Sequence, residues 1–189
     1  MKKPEKILLL KLSIAALLFT ITVIPTATAE ERAYGPEGFF ANLSELCGNS
    51  YNGDIVYPSS PPDGFEGQLV AHFSNCGDDY INIPFHVGEN ESRTWILSLT
   101  DAGLLFKHDH RHPDGTPEEL TNYGGWAEGG PSSMVQRFPA DDETIAMRDN
   151  LRSHIWVFEI SDDFSRLSYS LYLYENLYFR ADFDLNNPL

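Results

Sequence analysis

The chain has 189 residues, with 28 acidic side chains against 13 basic ones and a formal net charge of −15 at pH 7. A surface this acidic repels nucleic-acid phosphates and anionic lipid, which argues against both as partners. Two cysteines and no C-x-x-C motif leave no support for thiol–disulfide exchange.

Residues 1–29 read as a cleaved secretory signal. Lys2, Lys3, Lys6 and Lys11 make a basic start, Ile7–Ile24 is mostly apolar, Pro25 breaks the run, and Ala27-Thr28-Ala29 supplies small residues before cleavage at Glu30. Residues 30–189 then form one β-rich domain, in the periplasm or the medium. No integral membrane anchor is expected after cleavage, because no later segment is apolar for long enough to span a bilayer. In an exported chain an even cysteine count favours pairing, so a Cys47–Cys76 disulfide is expected. Loop-closure entropy makes such a bridge worth roughly 3–4 kcal/mol.

The predicted elements begin with a short helix opened by Pro36, with Phe39, Phe40, Leu43 and Leu46 at helical spacing and Gly48 as its stop. Strands follow. Tyr51–Tyr57 is the first, and Pro58–Gly64 is a loop. Gly67–Asn75 alternates Leu69, Ala71 and Phe73 against His72, and Tyr80–Val87 alternates Ile81, Ile83, Phe85 and Val87 against His86. Arg93–Thr100 sets Trp95, Leu97 and Leu99 on one face, and Asp101-Ala102-Gly103 turns the chain into Leu104–His112. The polar, glycine-rich stretch from Pro113 to Ser133 has room for one short strand near Thr121–Trp126, and its Tyr123-Gly124-Gly125-Trp126 also reads as a lid with glycine hinges. Met134–Phe138, His154–Ile160, Leu167–Tyr174 and Leu177–Asp184 close the series, the last two joined by a tight hairpin.

About nine strands without helical crossovers point to an all-β, antiparallel fold. With a single N-terminal helix in front, an up-and-down, lipocalin-like barrel is expected, and a β-sandwich or jelly roll is the alternative. This is an analogy of fold and assigns no function.

Half of the six histidines fall at alternate positions in Phe106–Gly115. On a strand, His108, His110 and His112 share the face begun by Leu104 and Phe106, so they are expected to climb from a packed floor towards the barrel mouth. The ligand-lining residues predicted are His108, His110, His112, His86, Phe106 and Tyr123, with Arg137 to bind a ligand carboxylate. A metal is the alternative. Neighbouring histidines on a strand lie ~7 Å apart and the outer two ~13 Å, so one ion takes at most two of them. His108 and His110 would then need a third ligand from His72, His86 or His154, and imidazole ligands favour zinc or copper.

Several segments resemble a group of secreted bacterial proteins without an assigned activity. They are Ile83–Glu89, Ser92–Trp95, Lys107–His112 with Asp114-Gly115-Thr116, Tyr123-Gly124-Gly125 and Phe179–Leu185. The resemblance covers most of the chain after residue 29. It implies export and a compact β-rich domain, and it brings no substrate.

No G-x-S-x-G, no H-E-x-x-H and no phosphate-cradling glycine loop occurs, so the common hydrolase and nucleotide chemistries lack support and an enzyme is not the first expectation. The acidic clusters Asp141–Glu143 and Asp162-Asp163 lack the spacing of a calcium loop. The reading is therefore a monomeric exported barrel binding a small molecule. A metal-binding protein or metal-dependent enzyme comes second, and an interaction protein without a pocket third.

Overall fold

Alternation of apolar and polar residues governs the chain from Ser50 onward, and it folds as an antiparallel barrel. The computed structural model describes Tyr34–Pro58, Ser60 and Pro62–Leu189; the predicted signal and its cleavage position lie outside these residues. A ten-residue helix, α1 (Gly35–Ser44), comes first. The strands are β1 (Ser50–Tyr57), β2 (Leu69–His72), β3 (Asn75–Cys76), β4 (Tyr80–Val87), β5 (Asn90–Thr100), β6 (Gly103–His110) and β7 (Tyr123–Trp126). Then come β8 (Val135–Pro139), the short helix α2 (Asp142–Met147), a 3-10 turn over Asp149–Ser153, β9 (His154–Ile160), β10 (Arg166–Leu173) and β11 (Asn176–Asp184).

The strands follow one another around the wall in the order β7-β6-β5-β4-β2-β1-β11-β10-β9-β8, with β3 set beside β4. Every pairing is antiparallel, so this is an up-and-down barrel with a single seam, between β7 and β8. Two backbone bonds cross that seam, Asp141 N–H to Gly124 O at 3.0 Å and Glu128 N–H to Arg137 O at 2.9 Å. Glycine is what permits so close an approach. A Cβ on Gly124 would collide with the Phe106 carbonyl, and one on Gly125 with the Pro139 carbonyl. The Tyr123–Trp126 segment is therefore part of the wall, not a lid. Its glycines serve strand contact and not hinge motion.

Eleven strands replace the expected nine or so. Tyr123–Trp126 is a full member of the sheet, and Gly67–Asn75 is split into β2 and β3. The split occurs because Phe73 leaves the ladder: its N–H donates to Asn49 O at 2.9 Å and its carbonyl accepts from Gly48 N–H at 2.7 Å.

One end of the barrel is filled. Helix α1 lies against β5, β6 and β8 and buries Phe39, Phe40 and Leu43. The Cys47–Cys76 disulfide, across a separation of 29 residues, ties the turn after α1 to β3. Above the helix, Phe106, Phe138 and Phe158 meet with ring centroids 5.1–6.1 Å apart. Trp95 is stacked between Phe85 at 4.3 Å and Tyr169 at 4.4 Å. At the other end the packing stops short, and β5 starts, β6 ends, β7 and β9 start and β10 ends around a cavity.

Candidate functional site

The cavity is about 280 Å³ and is walled by Arg93, Trp95, His108, His110, Tyr123 and Trp156, among others. Phe65, Leu120 and Leu151 cover it from the β1–β2 loop, the β6–β7 loop and the 3-10 turn. A larger depression of about 740 Å³ lies outside the wall, among Glu89, Glu91, Arg111, His112 and Glu118. The inner cavity is the better candidate, because buried polar atoms without partners gather there and none belongs to the outer depression.

Strand parity places each side chain. Leu104, Phe106, His108 and His110 alternate inward along β6, as expected. His108 is 5% exposed and rests edge-on against Phe106, with ring centroids 4.9 Å apart. Phe106 is thus the floor beneath the site rather than part of its lining. Tyr123 stacks on His108 at 4.8 Å with nearly parallel rings.

Each inner histidine of β6 has a tyrosine partner. His108 Nε2 lies 2.9 Å from Tyr169 Oη, and His110 Nε2 lies 2.9 Å from Tyr123 Oη. Burial raises both phenols, Tyr123 to about 12 and Tyr169 well above the ordinary value of 10.0, so each keeps its proton at neutral pH. A buried hydroxyl proton needs an acceptor, and the acceptor within reach of Tyr169 is His108 Nε2. His108 must then carry its own proton on Nδ1.

The imidazoles are neutral as well. Burial holds His108 well below the usual 6.5, with His110 and Arg93 pushing the same way. Burial and Arg93 also lower His110, against the opposing pull of Glu118 and Asp109. Burial lowers His154, which also lines the cavity, while the nearby Leu151 and Asn150 carbonyls favour its charged form. Among the described residues, Arg93 is therefore the one permanent charge in the lining. Its Nη2 donates to Gly64 O at 3.2 Å, and its Cζ lies 4.9 Å over the Phe65 ring.

Among the described residues, five buried side-chain polar atoms lack a hydrogen-bond partner: Arg93 Nη1, Trp95 Nε1, His108 Nδ1, His154 Nδ1 and Gln136 Oε1. The first four belong to residues around this one cavity. Each such group carries a desolvation cost of about 1–3 kcal/mol, so their gathering in one place marks a site built to meet something.

Four predicted residues lie elsewhere. Strand β6 ends at His110, and His112 is exposed in the rim turn, where its N–H donates to Thr116 O. His86 and His72 sit on the outer face. His72 Nε2 is 3.1 Å from His86 Nδ1, and Ser50 Oγ is 2.8 Å from His72 Nδ1. Arg137 is also outside, bonded to Glu128 and Glu175 at 2.8 Å each, and does not line the cavity. The physical reason is the same in each case. The barrel interior takes the apolar face of a strand, and these side chains lie on the opposite face or beyond the strand's end.

A three-ligand metal site is not assembled among the described residues: no group of three or more His, Cys, Asp or Glu side chains is placed to hold an ion. The ring centroids of His108 and His110 are 6.0 Å apart, and both Nε2 atoms already face tyrosine hydroxyls.

Sequence reading passed over Arg93, Tyr169 and Trp156 as site residues. The signal was available, since Arg93 continues the face of Trp95 and Leu97, and Tyr169 continues that of Leu167 and Leu171. In comparisons with known proteins, no protein-family model, no curated protein and no solved structure matches the chain.

Proposed function

We propose that this protein is an exported, acidic, monomeric barrel that holds a small ligand in the cavity lined by His108, His110, His154 and Tyr123. The gathering of unpartnered polar atoms on its walls carries the reading. A polar group that lacks a protein partner in a dry site regains its hydrogen bond when a ligand supplies one. The aromatic rings around it favour a flat, apolar body on that ligand. The disulfide supports export, because such bridges persist in oxidising compartments.

The test is thermal unfolding of the mature protein with phenol, indole and cinnamamide, beside Leu171→Trp, which fills the cavity from β10. At least one probe is expected to raise the melting temperature of the wild type and not of the variant. No shift with any of the three, or equal shifts in both proteins, refutes the reading.

A further inference from the structure

In a chain with more than twice as many acidic as basic residues, an arginine is easily matched, and most are. Arg111, Arg137, Arg152, Arg166 and Arg180 each meet a carboxylate. Arg148 makes no ion pair among the described residues, but it is exposed and water serves it. Arg93 differs from both kinds. It stands at the inner cavity, its Nη1 is buried without a hydrogen bond, and among the described residues no carboxylate pairs with it. Glu118, at the same end of the barrel, lies instead 3.7 Å from His110 Nδ1. Leaving a partly desolvated guanidinium unmatched is costly, and an incoming anion would relieve that cost.

Two of the other three free groups share the sign of Arg93, while the neutral His154 ring can either donate or accept. Arginine and the tryptophan Nε1 can only donate, and the Tyr169 hydroxyl leaves His108 with a proton on Nδ1. Three donors around one cavity call for an acceptor. The charge sets how much anion the site can hold. One guanidinium beside neutral imidazoles and phenols balances a single negative charge, and a phosphate dianion would carry an excess into a protein already strongly negative. A planar carboxylate also fits the fork of an arginine.

We propose that the cavity takes a small aromatic monocarboxylate, its carboxylate on Arg93 with Trp95 Nε1 and His108 Nδ1 as further donors, and its ring among the aromatic walls. The proposal rests on the ligand-binding reading above and specifies the ligand's charge and shape.

The experiment is calorimetric titration of the mature, disulfide-bonded protein with trans-cinnamate and with cinnamamide, which has the same shape without the charge. The wild type is expected to bind cinnamate at least about tenfold more tightly, since a charge-assisted bond outweighs a neutral one. Arg93→Gln should abolish that preference by weakening cinnamate at least about tenfold more than cinnamamide, and Arg148→Gln should alter neither. Equal affinities in the wild type, or a preference that survives Arg93→Gln, overturn the proposal while the cavity reading stands. If neither compound binds the wild type, the proposal falls, and the cavity reading falls with it only if phenol and indole also fail to raise the melting temperature. Should Arg93→Gln not fold, Arg93→Met, which keeps a long chain over Phe65, carries the same comparison. If that variant also fails, the wild-type ratio decides alone.

Discussion

Two pairs of histidines occupy opposite sides of the same barrel wall. Inside, His108 and His110 are locked to tyrosine hydroxyls, packed against aromatic rings and held neutral by burial. Outside, His72 and His86 bond to each other, with Ser50 beyond and Glu91 3.9 Å from His86. The side chains are the same, yet one pair lines a cavity and the other decorates a surface. What differs is strand parity, and with it the solvent. The contrast shows that a histidine in a barrel acquires its chemistry from the face it is on, not from its neighbours in sequence.

The largest expected effect comes from breaking the wall that holds the inner pair in place. Gly125→Ala pushes a methyl group into the Pro139 carbonyl and should destabilise the fold by about 3 kcal/mol or more, freeing Tyr123 from its stack on His108. Urea unfolding would measure it, and a loss under about 1 kcal/mol would mean that the β7–β8 seam yields easily.

Truncating the two pairs should then give unequal losses. His108→Ala leaves the Tyr169 hydroxyl buried without its acceptor and opens a void, at a cost of about 2–4 kcal/mol. His86→Ala, at a partly exposed outer position, should cost within about 0.5 kcal/mol. Similar losses in the two variants would erase the distinction between the faces.

The pH dependence sharpens it further. His108, His110, His154 and His72 are all lowered from 6.5. Below an ordinary value of about 6.5 the unfolded chain takes up protons that these positions refuse in the fold. Stability is therefore full above that pH and falls as the pH drops through 6 towards 5. His108→Gln keeps a neutral polar group there and should flatten the decline clearly. His72→Gln should flatten it less, because His72 is lowered by a shallower burial and its neighbour's charge, and Glu91 opposes both. Urea midpoints between pH 8 and pH 5 would separate the two.

The smallest effect concerns neither histidine pair but tests the ordinary ion pairs around them. Arg137→Gln removes two surface carboxylate contacts and should change stability by less than about 1 kcal/mol. In calorimetric titration it should leave cinnamate affinity as it was, since Arg137 stands outside the wall. A loss of cinnamate affinity there would transfer the anion site from Arg93 to the outer face.

Much of this architecture was written in short-range patterns. Ile81-Asn82-Ile83-Pro84-Phe85 and Leu167-Ser168-Tyr169-Ser170-Leu171 alternate because one face of each strand meets the core and the other points outward, half-buried at Asn82 and Pro84 and buried at Ser168 and Ser170, where Ser168 Oγ accepts from Arg180. The two-residue hairpin at Tyr174-Glu175, both in the left-handed region with φ of 50° and 61°, was legible from the alternating strands on either side of it. The same alternation had already set His72 and His86 opposite the apolar residues of their strands, so their outer placement was implicit in it. His112 was harder. Its spacing matched its neighbours, but the strand stops at His110, where the chain leaves the ladder for the turn that begins at Arg111.

Sequence alone determined most of the strand series, the inward face of the alternating strands, the cysteine pair and the placing of His108 and His110 on an inner face, because period-2 patterning and cysteine parity are properties of short segments. Only the tertiary structure decided that Arg93, His154 and Tyr169, drawn from three different strands, surround the same cavity as His108. The closing of the sheet is what sets those strand ends around a common mouth. Which carboxylates reach which arginines is likewise a matter of distance across that closed wall, and it is this that leaves Arg93 without one among the described residues.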